Sequence, residues 1–187
     1  SAMPPVTACP MCGVHGHITD TLVGGERMFG LGGRFTYALC GACGSLWLTD
    51  PPDDPGAYYG SGYSGFGEEP DPPALLAAAL RARDRTAAGG YDDRIIDVGC
   101  GSGVLLERLR AIGYRDLTGV DPFAGRVVDM PGLRIVKGEH TGLGGTWDVV
   151  AVNHAFEHMP DPRAALAGLA ALLAPGGRLV IRVPVAD

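Results

Sequence analysis

The sequence predicts an α/β fold in which a doubly wound parallel sheet follows a small cysteine-rich domain. Two observations lead to this prediction. From Arg94 onward, short apolar runs alternate with amphipathic segments, a pattern typical of parallel strands joined by helices that cover both faces of a sheet. Nearer the N-terminus, four of the five cysteines form two closely spaced pairs, which indicates a second and smaller unit.

Proline-rich stretches divide the chain into three segments. We predict the small domain over residues 4–49, a linker over 50–73 and the core over 74–187. The linker also carries three tyrosines, Tyr58, Tyr59 and Tyr63. They either pack the linker against the core or close over a ligand site, and we favour packing.

The core is predicted to begin with a helix over residues 74–85, which has leucines on one face and arginines near its C-terminal end. Five strands are predicted, over residues 94–98, 117–120, 133–137, 147–152 and 178–183. Asp161 and Pro162 predict the N-cap and first residue of a further helix. We place the end of that helix at Pro175-Gly176-Gly177.

The cysteine pairs have the spacing of a metal site. Cys9 and Cys12 form one C-x-x-C-G knuckle, and Cys40 and Cys43 form the other. Two such knuckles predict a zinc ribbon, because they bring four thiolates to one tetrahedral Zn²⁺ ion. Two disulfides are the alternative, but the sequence shows no secretion signal, so we expect a reducing, cytoplasmic environment. Four protein ligands would close the site, which predicts a structural metal.

The overall charge argues against a polyanionic partner. Fifteen Lys and Arg residues stand against 21 Asp and Glu residues, giving a net charge of −6. We therefore expect a small-molecule partner and disfavour nucleic acid, which acidic chains do not attract. No apolar run is long enough to predict a membrane span.

A glycine-rich turn, DVGCGSG at residues 97–103, follows the first predicted core strand. Such a turn predicts a site for a nucleotide-like ligand, because glycine lets backbone N–H groups approach it closely. Dinucleotide binding is the weaker interpretation, since Asp97 would repel a pyrophosphate and Val104 stands where that fingerprint requires a small residue. S-adenosylmethionine, which carries an ammonium group and no phosphate, suits Asp97 better.

Two further motifs extend this pattern. Gly119-Val120-Asp121 ends the second predicted strand, and Ala174-Pro175-Gly176-Gly177 precedes the fifth. With these motifs the chain resembles the class I S-adenosylmethionine-dependent methyltransferases, which have a Rossmann-like fold; the resemblance covers residues 94–183. The N-terminal part resembles the zinc-binding domain that precedes this core in bacterial methyltransferases acting on deoxysugars and other hydroxylated metabolites.

The resemblance implies a role for each position that matches the family's cofactor site. Asp97 would face the ammonium group, and Asp121 would bind both ribose hydroxyls, since a carboxylate offers two acceptor oxygens. Glu139 stands near the adenine, where the family usually has the shorter Asp. The implied cofactor-binding residues are Asp97, Gly99, Cys100, Gly101, Gly103, Asp121, Pro122, Glu139 and Asn153. The alternative for the two aspartates is helix capping or simple solvation.

Two histidines follow the fourth predicted strand and are the predicted catalytic residues. His154 and His158 can accept a proton near neutral pH if the methyl acceptor must lose one. A surface or supporting role is the alternative for His158. Residues 154–158 also match the H-x-x-E-H pattern of inverted zinc peptidases, but nearby prolines disfavour the helix that this site needs.

These features predict methyl transfer to a small hydroxylated metabolite such as a sugar or a natural-product intermediate. Two alternatives stay open. One is an RNA methyltransferase whose zinc ribbon binds RNA, although the ribbon carries only Arg27 and Arg34 as basic residues. The other is a non-catalytic cofactor-binding fragment.

The resemblance also predicts strands that this sequence does not contain. The family core usually has two further strands after the fifth, and part of the acceptor pocket comes from that segment. We therefore interpret the chain as a core with its C-terminal strands missing, whose activity on its own is in doubt. The edge of the fifth predicted strand would then be exposed, which invites self-association.

Overall fold

The computed structural model describes residues 8–26, 32–54 and 72–184. Two compact units are present, Ser1–Tyr63 and Ser64–Asp187. The linker tyrosines and Arg27 lie outside the described residues. Both interpretations of the tyrosines therefore stay predictions.

The first unit contains a three-stranded antiparallel sheet. Its strands are β1 (Ile18–Gly25), β2 (Arg34–Cys40) and β3 (Leu46–Leu48), hydrogen-bonded in the order β1-β2-β3. Strand β1 is almost wholly exposed, and few of the described residues of this unit are fully buried. A unit with so small a core needs another source of stability, such as a bound metal.

The second unit is a six-stranded sheet with helices on both faces. The strand order is β6-β7-β5-β4-β8-β9, and every neighbouring pair is parallel except β6 and β7. The strands are β4 (Arg94–Val98), β5 (Asp116–Asp121), β6 (Val128–Met130), β7 (Leu133–Lys137), β8 (Trp147–Asn153) and β9 (Leu173–Arg182). The helices are α1 (Pro72–Thr86), α2 (Val104–Ala111) and α3 (Pro162–Ala171), with 3₁₀ turns at His140–Gly142 and Phe156–His158.

Alternate residues of the central strands build two separate cores. Ile95 packs on one face of the sheet with Leu106 and Leu109 of α2. Its neighbour Ile96 points to the opposite face and packs with Leu169 of α3. This alternation follows from the period of two in a β-strand, and it leaves the central strands apolar on both sides. The predicted α/β, Rossmann-like doubly wound fold is confirmed, as is the convergence of the four cysteines in a small N-terminal unit.

Two details of the predicted core were wrong. The short strand β6, antiparallel to β7, was not predicted, so the core sheet has six strands and not five. The last helix ends at Ala171, four residues before the predicted Pro-Gly-Gly stop. Strand β9 begins immediately afterwards because Leu173 pairs with Trp147, and an irregularity in the pairing then accommodates residues 174–177.

Strand β9 forms one edge of the sheet among the described residues. Self-association through this edge stays a prediction. Along the part of the chain that the structure describes, no helix combines the length and the apolar character needed to cross a bilayer.

Candidate cofactor site and metal centre

The glycine-rich turn connects β4 to α2, and its three glycines all have positive φ. The φ angles of Gly99, Gly101 and Gly103 are 78°, 56° and 81°, in the left-handed region that side-chain-bearing residues rarely adopt. A Cβ atom at Gly99 would collide with Ala155, and one at Gly103 would collide with Ile135. These two glycines are therefore required by packing as well as by conformation.

Gly101 differs from its neighbours because it faces open space. A Cβ atom built there would meet no heavy atom within 4 Å. The turn thus presents bare backbone to an open region, as a site for close approach of a ligand requires.

The carboxylate of Asp121 ties the second strand of the site to this turn. One of its oxygens accepts a hydrogen bond from the Gly101 N–H at 2.8 Å, and the other accepts from the Phe123 N–H at 2.7 Å. The Gly99 N–H also donates to the Val120 carbonyl at 2.8 Å. Each carboxylate oxygen keeps a second acceptor position, so Asp121 is held in a fixed orientation and can still bind a vicinal diol.

Asp97 lies on the neighbouring strand β4 and is only 3% exposed. Burial raises the pKa of its carboxyl group to about 7; a hydrogen bond from Asn153 opposes this rise, and the nearby charge of Asp121 adds to it. Within residues 8–26, 32–54 and 72–184, Asp97 forms no ion pair. A cationic group placed here would relieve the cost of burying this charge.

Asn153 ends β8 beside Asp97 and contributes a second unsatisfied group. Its Nδ2 atom donates to Asp97 Oδ1 at 3.4 Å, whereas its buried Oδ1 atom has no hydrogen-bond partner within the part of the chain that the structure describes. An orphaned acceptor is costly unless a donor arrives. A buried carboxylate beside an orphaned carbonyl therefore fits the ammonium group of S-adenosylmethionine.

The structure gives the positions of Pro122 and Glu139, but fewer contacts that bear on their predicted roles. Pro122 directly follows Asp121, and its side chain is half-buried. Glu139 is exposed and precedes the 3₁₀ turn at His140–Gly142; the adjoining Gly138 N–H donates to the Asp121 carbonyl at 3.1 Å. This bond brings the Glu139 loop to the end of β5. The role of Glu139 at an adenine stays a prediction.

The side chain of Cys100 points into the protein and not into the open region. A Cβ atom at Gly119 would lie 2.7 Å from the Cys100 sulfur. Burial, together with the negative charges of Asp97 and Asp121, raises the pKa of this thiol far above its usual range. Cys100 is therefore a neutral filler, and only its backbone belongs to the turn.

The two predicted catalytic histidines lie around one carboxylate. His154 Nδ1 is 3.8 Å from Glu157 Oε1, and His158 Nε2 is 3.9 Å from the same oxygen. Both imidazoles are exposed. His154 has a φ of 53°, unusual for a residue with a side chain. Because residues 154–158 form a strand end and a 3₁₀ turn, and not an α-helix, the geometry does not suit an inverted zinc peptidase.

Arg126 was not found from the sequence. It lies in the loop between β5 and β6 and donates from Nε to the Ser102 carbonyl at 2.9 Å. It also forms an ion pair with Glu107 of α2. No sequence signal points to Arg126, because it belongs to no motif and its partner lies 24 residues away.

The four predicted metal ligands converge in the first unit. Their sulfur atoms all lie within 4.8 Å of one another, with Cys9 to Cys43 and Cys12 to Cys40 each at 3.7 Å. Sulfurs bound to a tetrahedral Zn²⁺ ion at the usual bond length are about 3.8 Å apart. The spacing therefore fits a zinc ion.

Hydrogen bonds within each knuckle shape the metal centre. The Gly13 N–H donates to the Cys9 carbonyl and the Gly44 N–H to the Cys40 carbonyl, each at 2.8 Å. Ser45 lies 3.2 Å from the Cys43 sulfur, and its hydrogen bonds lower the pKa of that thiol. A backbone hydrogen bond at Val14 lowers the pKa of Cys12, but burial and the neighbouring thiols outweigh it and raise that pKa. In the absence of metal, the thiolate form is therefore favoured at Cys43 and disfavoured at Cys12.

A family model described as a methyltransferase domain matches residues 70–187. The match covers more than half of the sequence, and the chain therefore belongs to this methyltransferase domain family.

Individual curated relatives match only part of this chain. The chain is 36% identical to the ubiquinone biosynthesis O-methyltransferase of Colwellia psychrerythraea, over 48% of this chain and 41% of the relative. The corresponding enzyme of Bordetella avium is 35% identical, over 45% and 39%. The chain thus spans less than half the length of these curated relatives.

Among solved structures, the chain is similar to a SAM-bound amino pentose methyltransferase from Micromonospora echinaspora, involved in calicheamicin biosynthesis. The identity is 29% and the TM-score 0.44, over 70% of this chain and 55% of the other.

Proposed function

We propose that this protein transfers a methyl group from S-adenosylmethionine to a small hydroxylated metabolite, such as a sugar or a natural-product intermediate. The observation that carries the proposal is the buried carboxylate of Asp97, which has the orphaned Asn153 oxygen beside it. Membership of the methyltransferase domain family supports it. Two relatives named as O-methyltransferases favour an oxygen acceptor.

Each part of the cofactor has a matching group in the site. Asp97 and Asn153 Oδ1 would receive the ammonium group, and the open backbone at Gly101 would lie against the amino-acid portion. Asp121 would bind the ribose hydroxyls while it still accepts hydrogen bonds from the backbone N–H groups of Gly101 and Phe123. Pro122 and Glu139 would lie at the adenosine.

In this reaction the protein mainly positions the two substrates, because the cofactor supplies the reactive group. S-adenosylmethionine supplies a methyl group that is already activated on its sulfonium. The residues of this chain would contribute by holding the acceptor in line with that methyl group, which is a large effect in two-substrate reactions. His154 or His158 would accept the hydroxyl proton at an imidazole nitrogen, and Glu157, within 4 Å of both, would stabilise the resulting cation.

The zinc centre has a structural role in this proposal. Four protein thiolates leave no open coordination position for a substrate. We propose the same organisation as the sequence predicts, with the zinc ribbon over residues 4–49, a linker over 50–73 and the methyltransferase core over 74–187.

The first test is calorimetric titration of the purified protein with S-adenosylhomocysteine. The preferred variant is Asp121→Asn, because its amide oxygen can keep one of the two backbone bonds that Asp121 accepts, from Gly101 and Phe123, whereas Asp121→Ala would remove both. We expect binding to weaken by at least tenfold, the usual cost of losing charged hydrogen-bond partners. The control is Asp116→Asn, an exposed residue at the opposite end of β5.

Absence of binding by folded, zinc-loaded wild-type protein would contradict the cofactor assignment. Equal affinities of Asp121→Asn and wild type would contradict the proposed position of the ribose. Once binding is established, methyl transfer from labelled cofactor to sugar, phenol and RNA acceptors would decide the substrate class. Labelling of RNA alone would contradict a metabolite acceptor.

A further inference from the structure

Arg126, which belongs to no sequence motif, holds the C-terminal end of the glycine-rich turn. The Arg126 Nε–H donates to the carbonyl of Ser102, a residue that is only 9% exposed. Its terminal nitrogen Nη2 forms an ion pair with Glu107 in the first turn of α2. One side chain from the loop after β5 therefore contacts both the turn and the helix that follows it.

Most of the other hydrogen bonds hold the beginning of the turn, although the Gly103 N–H also donates to the Cys100 carbonyl at 2.9 Å. Backbone bonds join Gly99 and Cys100 to the Val120 carbonyl, and Asp121 accepts from Gly101. Arg126 adds a bond at Ser102, next to Gly103, which is the N-cap of α2 and has no side-chain capping bond. The guanidinium lies 3.9 Å from the position of a Gly103 Cβ atom.

This hydrogen bond matters because its glycines give the turn unusual conformational freedom. Three of the five residues from 99 to 103 are glycines in the left-handed region, and glycine loses more conformational entropy than other residues when it is ordered. A ligand that needs one turn geometry binds more tightly when that geometry exists beforehand. A hydrogen bond from a charged group is among the stronger ways of holding a carbonyl in place.

The connection that carries Arg126 is unusual for a parallel pair of strands. Strands β5 and β7 are parallel, yet residues 122–132 between them contain the short strand β6 and no helix. Parallel neighbours are usually joined through a helix. The short connection keeps Arg126 close to the turn.

We infer that Arg126 is a positioning residue of the cofactor site, which holds residues 101–103 ready for the amino-acid portion of the cofactor. This inference rests on the proposed function.

The test of this inference compares Arg126→Met with Arg94→Met, a matched control. Arg94 also forms an exposed pair, with Asp148; its side chain is 44% exposed and that of Arg126 is 43% exposed. Arg94, however, begins β4, at the end of the strand away from the turn.

Affinity for S-adenosylhomocysteine is the first measurement. We expect Arg126→Met to weaken binding by about tenfold, the usual worth of a hydrogen bond from a charged group, and Arg94→Met by less than about twofold. Glu107→Gln, which keeps the Ser102 bond, should retain most of the affinity. Arg126→Lys should restore part of the loss, because an ammonium group can still reach one of the two partners. Equal affinities of the two methionine variants would overturn the inference.

A second ligand separates positioning from general loosening. 5′-Methylthioadenosine lacks the amino-acid portion of the cofactor, so its affinity should fall less than that of S-adenosylhomocysteine in Arg126→Met. Equal losses for both ligands would overturn the inference.

A third measurement needs no ligand. Amide hydrogen exchange of residues 99–104 should be faster in Arg126→Met than in wild type or Arg94→Met, with equal melting temperatures. Unchanged exchange would overturn the inference even where the protein binds no cofactor. Failure of the wild type to bind would instead count against the proposed function.

Discussion

The side-chain amide of Asn153 donates a hydrogen bond to the buried carboxylate of Asp97 at 3.4 Å. This bond joins the ends of two adjacent parallel strands, β8 and β4. The hydrogen bond from Asn153 lowers the pKa of Asp97, but burial raises it by more, so that the pKa is about 7. The protonation state of the site therefore changes within the physiological range.

Cofactor affinity should consequently depend on pH. In the proposed site the ammonium group of S-adenosylhomocysteine pairs with an ionised Asp97, so binding should weaken by about tenfold for each pH unit below 7. Titrations at pH 6 in buffers of different ionisation enthalpy should also show proton release on binding. In Asp97→Asn the affinity should be low and nearly constant between pH 5.5 and about 8. A wild-type affinity that does not vary over this range would show that Asp97 does not bind the ammonium group.

The stability of the ligand-free protein should change with pH in the opposite sense. The pKa of Asp97 is higher in the folded state, at about 7, than the ordinary value near 4 in the unfolded chain. Its contribution to stability is thus fully present below about pH 4 and is lost as the pH rises through 7. Denaturant unfolding of wild type and Asp97→Asn checks this. As the pH rises, the free energy of unfolding of the wild type should fall relative to that of the variant. A constant difference would contradict the prediction.

The three glycines of the turn should respond differently to substitution. Gly103→Ala should destabilise the fold by roughly 2–4 kcal/mol, because the added Cβ collides with Ile135 in addition to the strain of a positive φ. Gly101→Ala should cost only about 1 kcal/mol, since the space beside it is open. That open space is the proposed ligand site, so Gly101→Ala should still weaken S-adenosylhomocysteine binding by at least about tenfold. Urea unfolding and calorimetry measure the two effects, and unchanged affinity in Gly101→Ala would place the ligand elsewhere.

The metal centre should contain one zinc ion per chain, measurable by elemental analysis of the purified protein. Cys40→Ser should lose most of the metal, because one of four thiolates is removed from a buried position. Amide exchange should then increase through residues 8–26 and 32–54, few of which are buried, and stay unchanged in the central strands of the second unit. Full metal content in Cys40→Ser would rule out a four-cysteine site.

A contact between His140 and α3 gives a test of packing near the predicted adenine loop. A Cβ atom at Gly168 would lie 2.8 Å from the buried His140 Nε2 atom, which has no hydrogen-bond partner among the described residues. Gly168→Ala should destabilise the protein by about 1–3 kcal/mol, as overpacking does. Gly142→Ala is the control, since nothing lies within 4 Å of its added Cβ, and equal stabilities of the two variants would contradict this packing.

Much of the fold could be predicted because its determinants are local. The two C-x-x-C-G knuckles predict convergent thiolates, and the DVGCGSG turn after an apolar run predicts a strand, a ligand turn and a helix. The errors fall where local signals are weak. Strand β6 has only three residues and no clear alternation, and the pairing of Leu173 with Trp147 overrides the local signal at Pro175-Gly176-Gly177.

The sequence by itself predicted the Rossmann-like sheet, the small N-terminal unit with its four convergent cysteines and the glycine-rich turn, because spacing and periodicity within a few residues carry that information. Only the tertiary structure decided that Asn153 meets Asp97 across 56 residues, that Arg126 holds Ser102 across 24, and that Asp97 is buried. Burial, the pKa it sets and contacts between loops depend on which strands become neighbours. That choice comes from packing over the whole sheet, which no short stretch of sequence encodes.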